Sequence, residues 1–139
     1  MDRKTNELKQ EIASIIANSY GTGRYYKHWL GFRYTDGMHL IAETGAYWLL
    51  DLIGSYQPNL RGVEFQCWTL VNKDCPNKAE IQSTLPALFK KNKSAEAIII
   101  CTDGNGNIMH KQALEICSIP NDKVRMYLID RVLMLSGEY

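Results

Sequence analysis

GMHLIAETGAYWLLDLIGSY (37–56) is a helix-length stretch that is apolar on nearly every side. Met38, Leu40, Ile41, Ala42, Ala46, Trp48, Leu49, Leu50, Leu52 and Ile53 fill it. A helix of that kind is normally the buried spine of its domain. Thr35 or Asp36 supplies an N-cap, and Gln57-Pro58-Asn59 closes the far end. One narrow polar stripe remains: His39, Glu43, Tyr47 and, slightly rotated, Asp51. Consecutive members stand four residues apart, so they stack along one face.

Upstream, residues 4–19 read as an amphipathic helix with Leu8, Ile12, Ile15 and Ser19 on one face. Tyr20-Gly21-Thr22-Gly23 ends it. Downstream, 63–71 (VEFQCWTLV) alternates like a strand with neither face strongly polar, so cover on both sides is expected. Residues 72–94 are polar and broken by Pro76 and Pro86, with a short helix near 77–84 and a further turn at 86–91. Residues 95–101 and 108–116 form a hairpin around Asp103-Gly104-Asn105-Gly106. A strand follows at 124–129, and 132–135 either extends it or pairs with it beyond a bulge near Asp130-Arg131. The expected fold is α+β: two N-terminal helices packed on a C-terminal antiparallel β-meander of about four strands. Residues 1–139 read as a single domain, a size that buries roughly two-thirds of the surface of its unfolded chain.

A formal net charge of +1 argues against a dedicated nucleic-acid binder but leaves room for a local basic patch. The start MDRKTNELKQEI has no apolar signal core, and the run 46–53 is too short to span a bilayer and contains Asp51. The expectation is a cytoplasmic protein with no membrane contact. Cys67, Cys75, Cys101 and Cys117 form no CxxC pair and fit no zinc template, so they read as buried free thiols of a reducing compartment. No metal site and no cofactor is expected. GxSxG, HExxH and Walker sequences are absent.

Three places invite a function. The stripe His39, Glu43, Asp51 presents acid–base groups or the start of a metal site on a buried helix. Alternatively it is the wet side of a core helix, or Glu43 and Asp51 pair with arginines of 24–33. The second place is RYYKHWLGFRY (24–34), the oddest stretch of the chain. Arg24, Tyr25, Tyr26, Lys27, Trp29 and Arg33 interleave basic and aromatic groups, which stack on bases, neutralise phosphates or anchor a protein partner. The same aromatics can instead plug the edge of the core. The third, Asp103-Gly104-Asn105-Gly106-Asn107, starts like a calcium loop, but Ile108 and Leu114 stand where Gly and Glu are required, so a turn explains it. His110 reads as a packed or rim histidine.

Five blocks resemble an uncharacterised family of small phage, plasmid and bacterial proteins. They are YYKHWLGFRYTDG (25–37), AETGAYWLLDLIGSYQ (42–57), FQCWTL (65–70), CTDGNGN (101–107) and VLMLSGEY (132–139). That family's pattern has a proline just before the terminal Ser-Glu-Tyr, where this chain reads Ser136-Gly137-Glu138-Tyr139. The resemblance implies no catalytic residues and no substrate. It favours an accessory protein that binds a macromolecule, an associational inference. The leading expectation is therefore a binding protein that takes a protein or nucleic-acid partner through 24–34 and is not an enzyme. The alternatives are an enzyme using His39, Glu43 and Asp51, and a homodimer joined through the apolar stretch 132–135.

Overall fold

The computed structural model describes residues 3–18 and 24–139. Helix α1 spans Arg3–Asn18. The predicted end of the first helix, Ser19 and the Tyr20–Gly23 stop, lies outside the described residues. Strands β1 (Tyr25–Lys27) and β2 (Arg33–Thr35) follow, then helices α2 (Asp36–Ile41) and α3 (Tyr47–Tyr56). β3 (Phe65–Asn72) leads to the short helices α4 (Lys78–Ile81) and α5 (Leu85–Lys91). β4 (Ala97–Thr102), β5 (Ile108–Leu114), β6 (Lys123–Ile129) and β7 (Val132–Leu135) complete a mixed α and β fold.

The sheet has seven strands in the order β1-β2-β7-β6-β3-β4-β5, where about four in a simple meander were expected. Three physical reasons account for the difference. First, the segment 24–34 contributes two strands of its own. Each is three residues long, too short for alternation to reveal. Second, β3 sits centrally, with β4 on one side and β6 on the other, so β5 and β6 are not neighbours. Third, β2 joins β7 in parallel, Arg33 beside Val132 and Tyr34 beside Leu133, which no hairpin connection signals. The helices are also not confined to the N-terminal part.

The predicted helix 37–56 is two helices. Gly45 has φ 112° between them, in a wide turn over residues 42–46. The left-handed backbone there suits glycine. The Ser118 hydroxyl donates to the Gly45 carbonyl at 3.3 Å and accepts from Trp48 Nε1 at 2.7 Å, bracing the bend.

Two apolar layers follow from strand alternation. Trp68, Leu70, Ile99, Met126, Leu128 and Leu133 face one way and pack with Ile12, Met38, Ile41, Leu49 and Ile53 of the first three helices. On the opposite face Val71, Ile98 and Ile100 pack with Leu85, Leu88 and Phe89. α4 and α5 thus cover only the β4 end of that second face, and the expectation that the first long strand is covered on both sides holds for Val71 but not for half-buried Phe65 and Cys67. The stretch 132–135 lies between β2 and β6, with Val132, Leu133 and Leu135 buried. It therefore offers no free strand edge to a second copy, contrary to the expected dimer contact. Among the described residues no helix is long and apolar enough to cross a membrane.

All four cysteines are free, Cys75 and Cys101 buried and Cys67 and Cys117 half-buried. Burial, reinforced by the nearby Cys67 and Asp103, pushes the Cys101 thiol from its ordinary 9.0 to about 12. Burial also raises Cys75, Cys117 and the Tyr34 phenol. An acid whose folded pKa is raised keeps its proton in the native state while the unfolded chain loses it. Stability is therefore full below about pH 9 and falls between there and about 12 for Cys101. Urea unfolding at stepped pH should show this decline, and it should be shallower in Cys101→Ala after allowing for that variant's lower baseline. A second expectation concerns Gly54, where an added Cβ would stand 2.8 Å from Phe32 Cε1 and 2.9 Å from Leu30 Cδ1. Although alanine is the better helix former, Gly54→Ala should destabilise by ~1–3 kcal/mol in the same assay.

Candidate functional site

The segment 24–34 folds as a two-stranded ribbon, and alternation divides its side chains. Tyr26 and Tyr34 lie opposite each other and turn toward the helices, their rings 5.4 Å apart. Tyr26 also stacks on His39 at 4.0 Å and 6°. Tyr25 and Lys27 point the other way, as does Arg33, whose guanidinium lies 5.4 Å from the Tyr25 ring centre. Tyr25 is 57% exposed, and Trp29, on the connecting turn, 79%. Arg24, Lys27 and Arg33 are exposed and make no ion pair among the described residues. The question of whether these aromatics plug the core or face out therefore has a split answer. Tyr26, Phe32 and Tyr34 plug; Tyr25 and Trp29 face out.

What holds the ribbon is a histidine. The His28 side chain is 6% exposed. Its Nδ1 accepts the backbone N–H of Leu30 at 3.0 Å, so the ring proton belongs on Nε2, which donates to Asp51 Oδ1 at 2.8 Å. The ring stacks on Phe32 at 4.6 Å. The turn closes through His28 N–H to the Phe32 carbonyl at 2.8 Å. From the other side Arg131 Nε donates to the Gly31 carbonyl at 3.0 Å, with Nη2 on the same oxygen. Arg131 and its neighbour Asp130 both have positive φ, 63° and 50°, so the expected bulge is a tight two-residue turn between β6 and β7.

The polar stripe of the spine is divided by the bend at Gly45. His39 and Glu43 pair with each other, and Asp51 pairs with His28 on the other side of the bend. Glu43 and Asp51 thus meet histidines and not the arginines of 24–33 that one alternative reading paired them with. Tyr47 lies near Tyr34 and helps to raise its pKa, after burial as the larger cause. Glu43 and Asp51 are 54% and 56% exposed. His39 Nδ1 is buried with no hydrogen-bond partner among the described residues. A cavity of about 330 Å³ opens at the end of the sheet, lined by Phe32, Gln57, Leu60, Arg61, Leu128 and Arg131 among others. Its lining contains no histidine, and neither it nor a larger cavity of about 560 Å³ beside α4 and α5 is lined by His39, Glu43 or Asp51. No group of three metal-ligating side chains occurs among the described residues.

The remaining candidates are structural in placement. Asp103 Oδ1 accepts from Asn105 N–H at 2.8 Å, and Asn107 Nδ2 donates to Oδ2 at 2.8 Å, so the would-be calcium loop ties itself. Those bonds, led by the Asn107 amide, hold the Asp103 carboxyl below its ordinary range. His110 packs on Tyr56, ring centres 3.6 Å apart, with Gln112 Oε1 at 3.2 Å.

Sequence reasoning passed over a second aromatic group. Phe65, Tyr127 and the 78% exposed Tyr139 meet on the sheet face away from the first three helices, with ring centres 5.2–6.4 Å apart. Alternation places Phe65 and Tyr127 on strand faces, but only the β3–β6 register shows that the faces coincide. Tyr139 is delivered by the final turn, where Glu138 Oε1 accepts from the Thr35 hydroxyl at 2.7 Å and from Leu135 N–H at 3.0 Å.

The model of a family of unknown function, DUF6876, matches residues 10–139. No curated protein and no solved structure matches.

The His28 anchor makes an expectation about stability. His28→Ala empties a buried ring and strands the Leu30 amide, so it should destabilise by about 2–3 kcal/mol. Asp51→Asn keeps an acceptor for the same Nε2 proton and should change less than ~1 kcal/mol. Urea denaturation of both variants checks the ranking; equal losses would remove the buried ring from its anchoring role.

Proposed function

As a member of the DUF6876 family, whose function is unknown, this chain is, we propose, a binding protein that presents the outer ribbon β1–β2 to a polyanionic partner. The carrying observation is the exposed trio Arg24, Lys27 and Arg33, which make no ion pair among the described residues, beside the exposed rings of Tyr25 and Trp29. Unpaired cations gathered on one rigid element attract an anion without first breaking an ion pair. Rigidity is supplied from behind, where Tyr26 and Tyr34 stack toward His39 and His28 fixes the turn. Tyr26 acts in this reading as the ribbon's support, and the contact set is Arg24, Tyr25, Lys27, Trp29 and Arg33. An accessory role in a phage, plasmid or bacterial cytoplasm is part of the same proposal, supported by the motif-poor sequence.

Acid–base catalysis by His39, Glu43 and Asp51 is the weaker reading. The His39–Glu43 pair favours it, yet Asp51 answers a different histidine.

Heparin affinity chromatography tests the binding reading. The wild-type chain should be retained, and the combined change Arg24→Ala, Lys27→Ala, Arg33→Ala should elute at clearly lower salt. The exposed cluster Lys90, Lys91 and Lys93 serves as a control of equal charge. If its triple alanine variant loses as much retention, overall charge rather than the ribbon is responsible.

A further inference from the structure

The geometry points to single-stranded nucleic acid as the polyanion, laid across the open sheet face from β1 to β3; this rests on the binding reading above. Strand register places Tyr25 and Lys27 of β1, Arg33 of β2, Met134 of β7, Lys123, Arg125 and Tyr127 of β6, and Phe65 of β3 on one face. The burial of β6 alternates accordingly, with Lys123 and Arg125 exposed and Val124, Met126 and Leu128 buried. Four basic side chains and no carboxylate occupy the strand positions of β1, β2, β7, β6 and β3 on this face. The whole chain carries a net charge of only +1, so this one-sided distribution is local.

The rings decide among polyanions. At one side Tyr25 lies beside the Arg33 guanidinium. At the other, Tyr127, Tyr139 and Phe65 form a partly open layer. Every unpaired base has a π-face, and stacking on such rings while neighbouring cations meet the phosphates is how sequence-tolerant single-strand binding works. A duplex hides those π-faces and leaves the rings without a partner. An acidic protein surface answers the cations equally but does not need rings beside them.

The span fits a short tract. Four inter-strand gaps from β1 to β3 cover roughly 19 Å, the scale on which an open sheet stacks two or three bases. Other carboxylates flank the track. Glu64 and Asp103 share a cavity with Phe65, and Glu80 and Asp122 share one with Lys123 and Arg125. Glu138, which lies nearer the middle, is held by Thr35 and the Leu135 amide.

Fluorescence anisotropy of a labelled 20-nucleotide oligo-dT at low salt tests the proposal, with a 20-base-pair duplex, a heparin fragment and poly-glutamate as competitors. Oligo-dT should bind at least tenfold more tightly than each of the three. Tyr25→Ala and Tyr139→Ala remove exposed rings without opening the core, and each should weaken oligo-dT binding about five- to tenfold; Tyr139→Ala, outside the ribbon's contact set, should leave heparin retention unchanged. Arg125→Ala should lower the salt slope by about 0.7. If heparin and duplex compete as well as oligo-dT and both tyrosine variants bind normally, the nucleic-acid assignment is wrong and the polyanion surface stands. If poly-glutamate competes best, the partner is an acidic protein. If heparin is not retained and oligo-dT does not bind, both proposals fall together.

Discussion

Arg33 and Tyr34 run parallel to Val132 and Leu133, and everything outboard of β7 takes its orientation from that pairing. Because side chains alternate along a strand, fixing this register determines which groups of the ribbon meet the helices and which meet solvent. A shift of one residue would turn Arg33 into the core and Tyr34 out of it. The clamps on the adjoining turn hold the same register. His28 ties the turn to α3 through Asp51, and Arg131 ties it to the β6–β7 turn through Gly31. The ribbon is thus held from the helix layer and from the sheet at once, although each of its strands has only three residues.

Much of the fold was legible where periodicity runs long enough to register. The spine 37–56, the strand 63–71 and the hairpin 95–116 were readable because apolar spacing and turn residues agree there. What escaped was short or non-local. β1 and β2 hide inside an aromatic segment. The parallel partner of β2 lies at the far end of the chain, and the bend at Gly45 is masked because the residues on both sides are good helix formers. The candidate site was half legible in the same way. Its composition was plain in RYYKHWLGFRY, but the division of those residues between core and surface depends on pairing. Phe65 and Tyr127 lie 62 positions apart in sequence and meet only through the β3–β6 register.

The three histidines illustrate why residue type alone carries little weight. Each is engaged in the folded chain, His28 with Asp51, His39 with Glu43 and Tyr26, and His110 with Tyr56 and Gln112. A histidine whose two nitrogens already serve an amide and a carboxylate is a bracket between elements. His28 does this inside a turn that composition alone would rank as a contact surface. The bracket and the surface are compatible, because the inward side of the ribbon supplies the stiffness that the outward side needs.

The parallel pairing of β2 with β7 also bears on how the chain assembles. Val132 follows Arg33 by 99 positions, whereas β4 and β5 close across a few turn residues. Loop-closure entropy makes so distant a contact slow to form and weakly rewarded until its neighbours are in place. The β4–β5 and β6–β7 hairpins are local units that can form first, with the ribbon docking afterward onto a β7 already held by β6. On that order of events the outer ribbon is the last part of the sheet to assemble and the first to detach, so the aromatic–basic face is completed at the final step of folding.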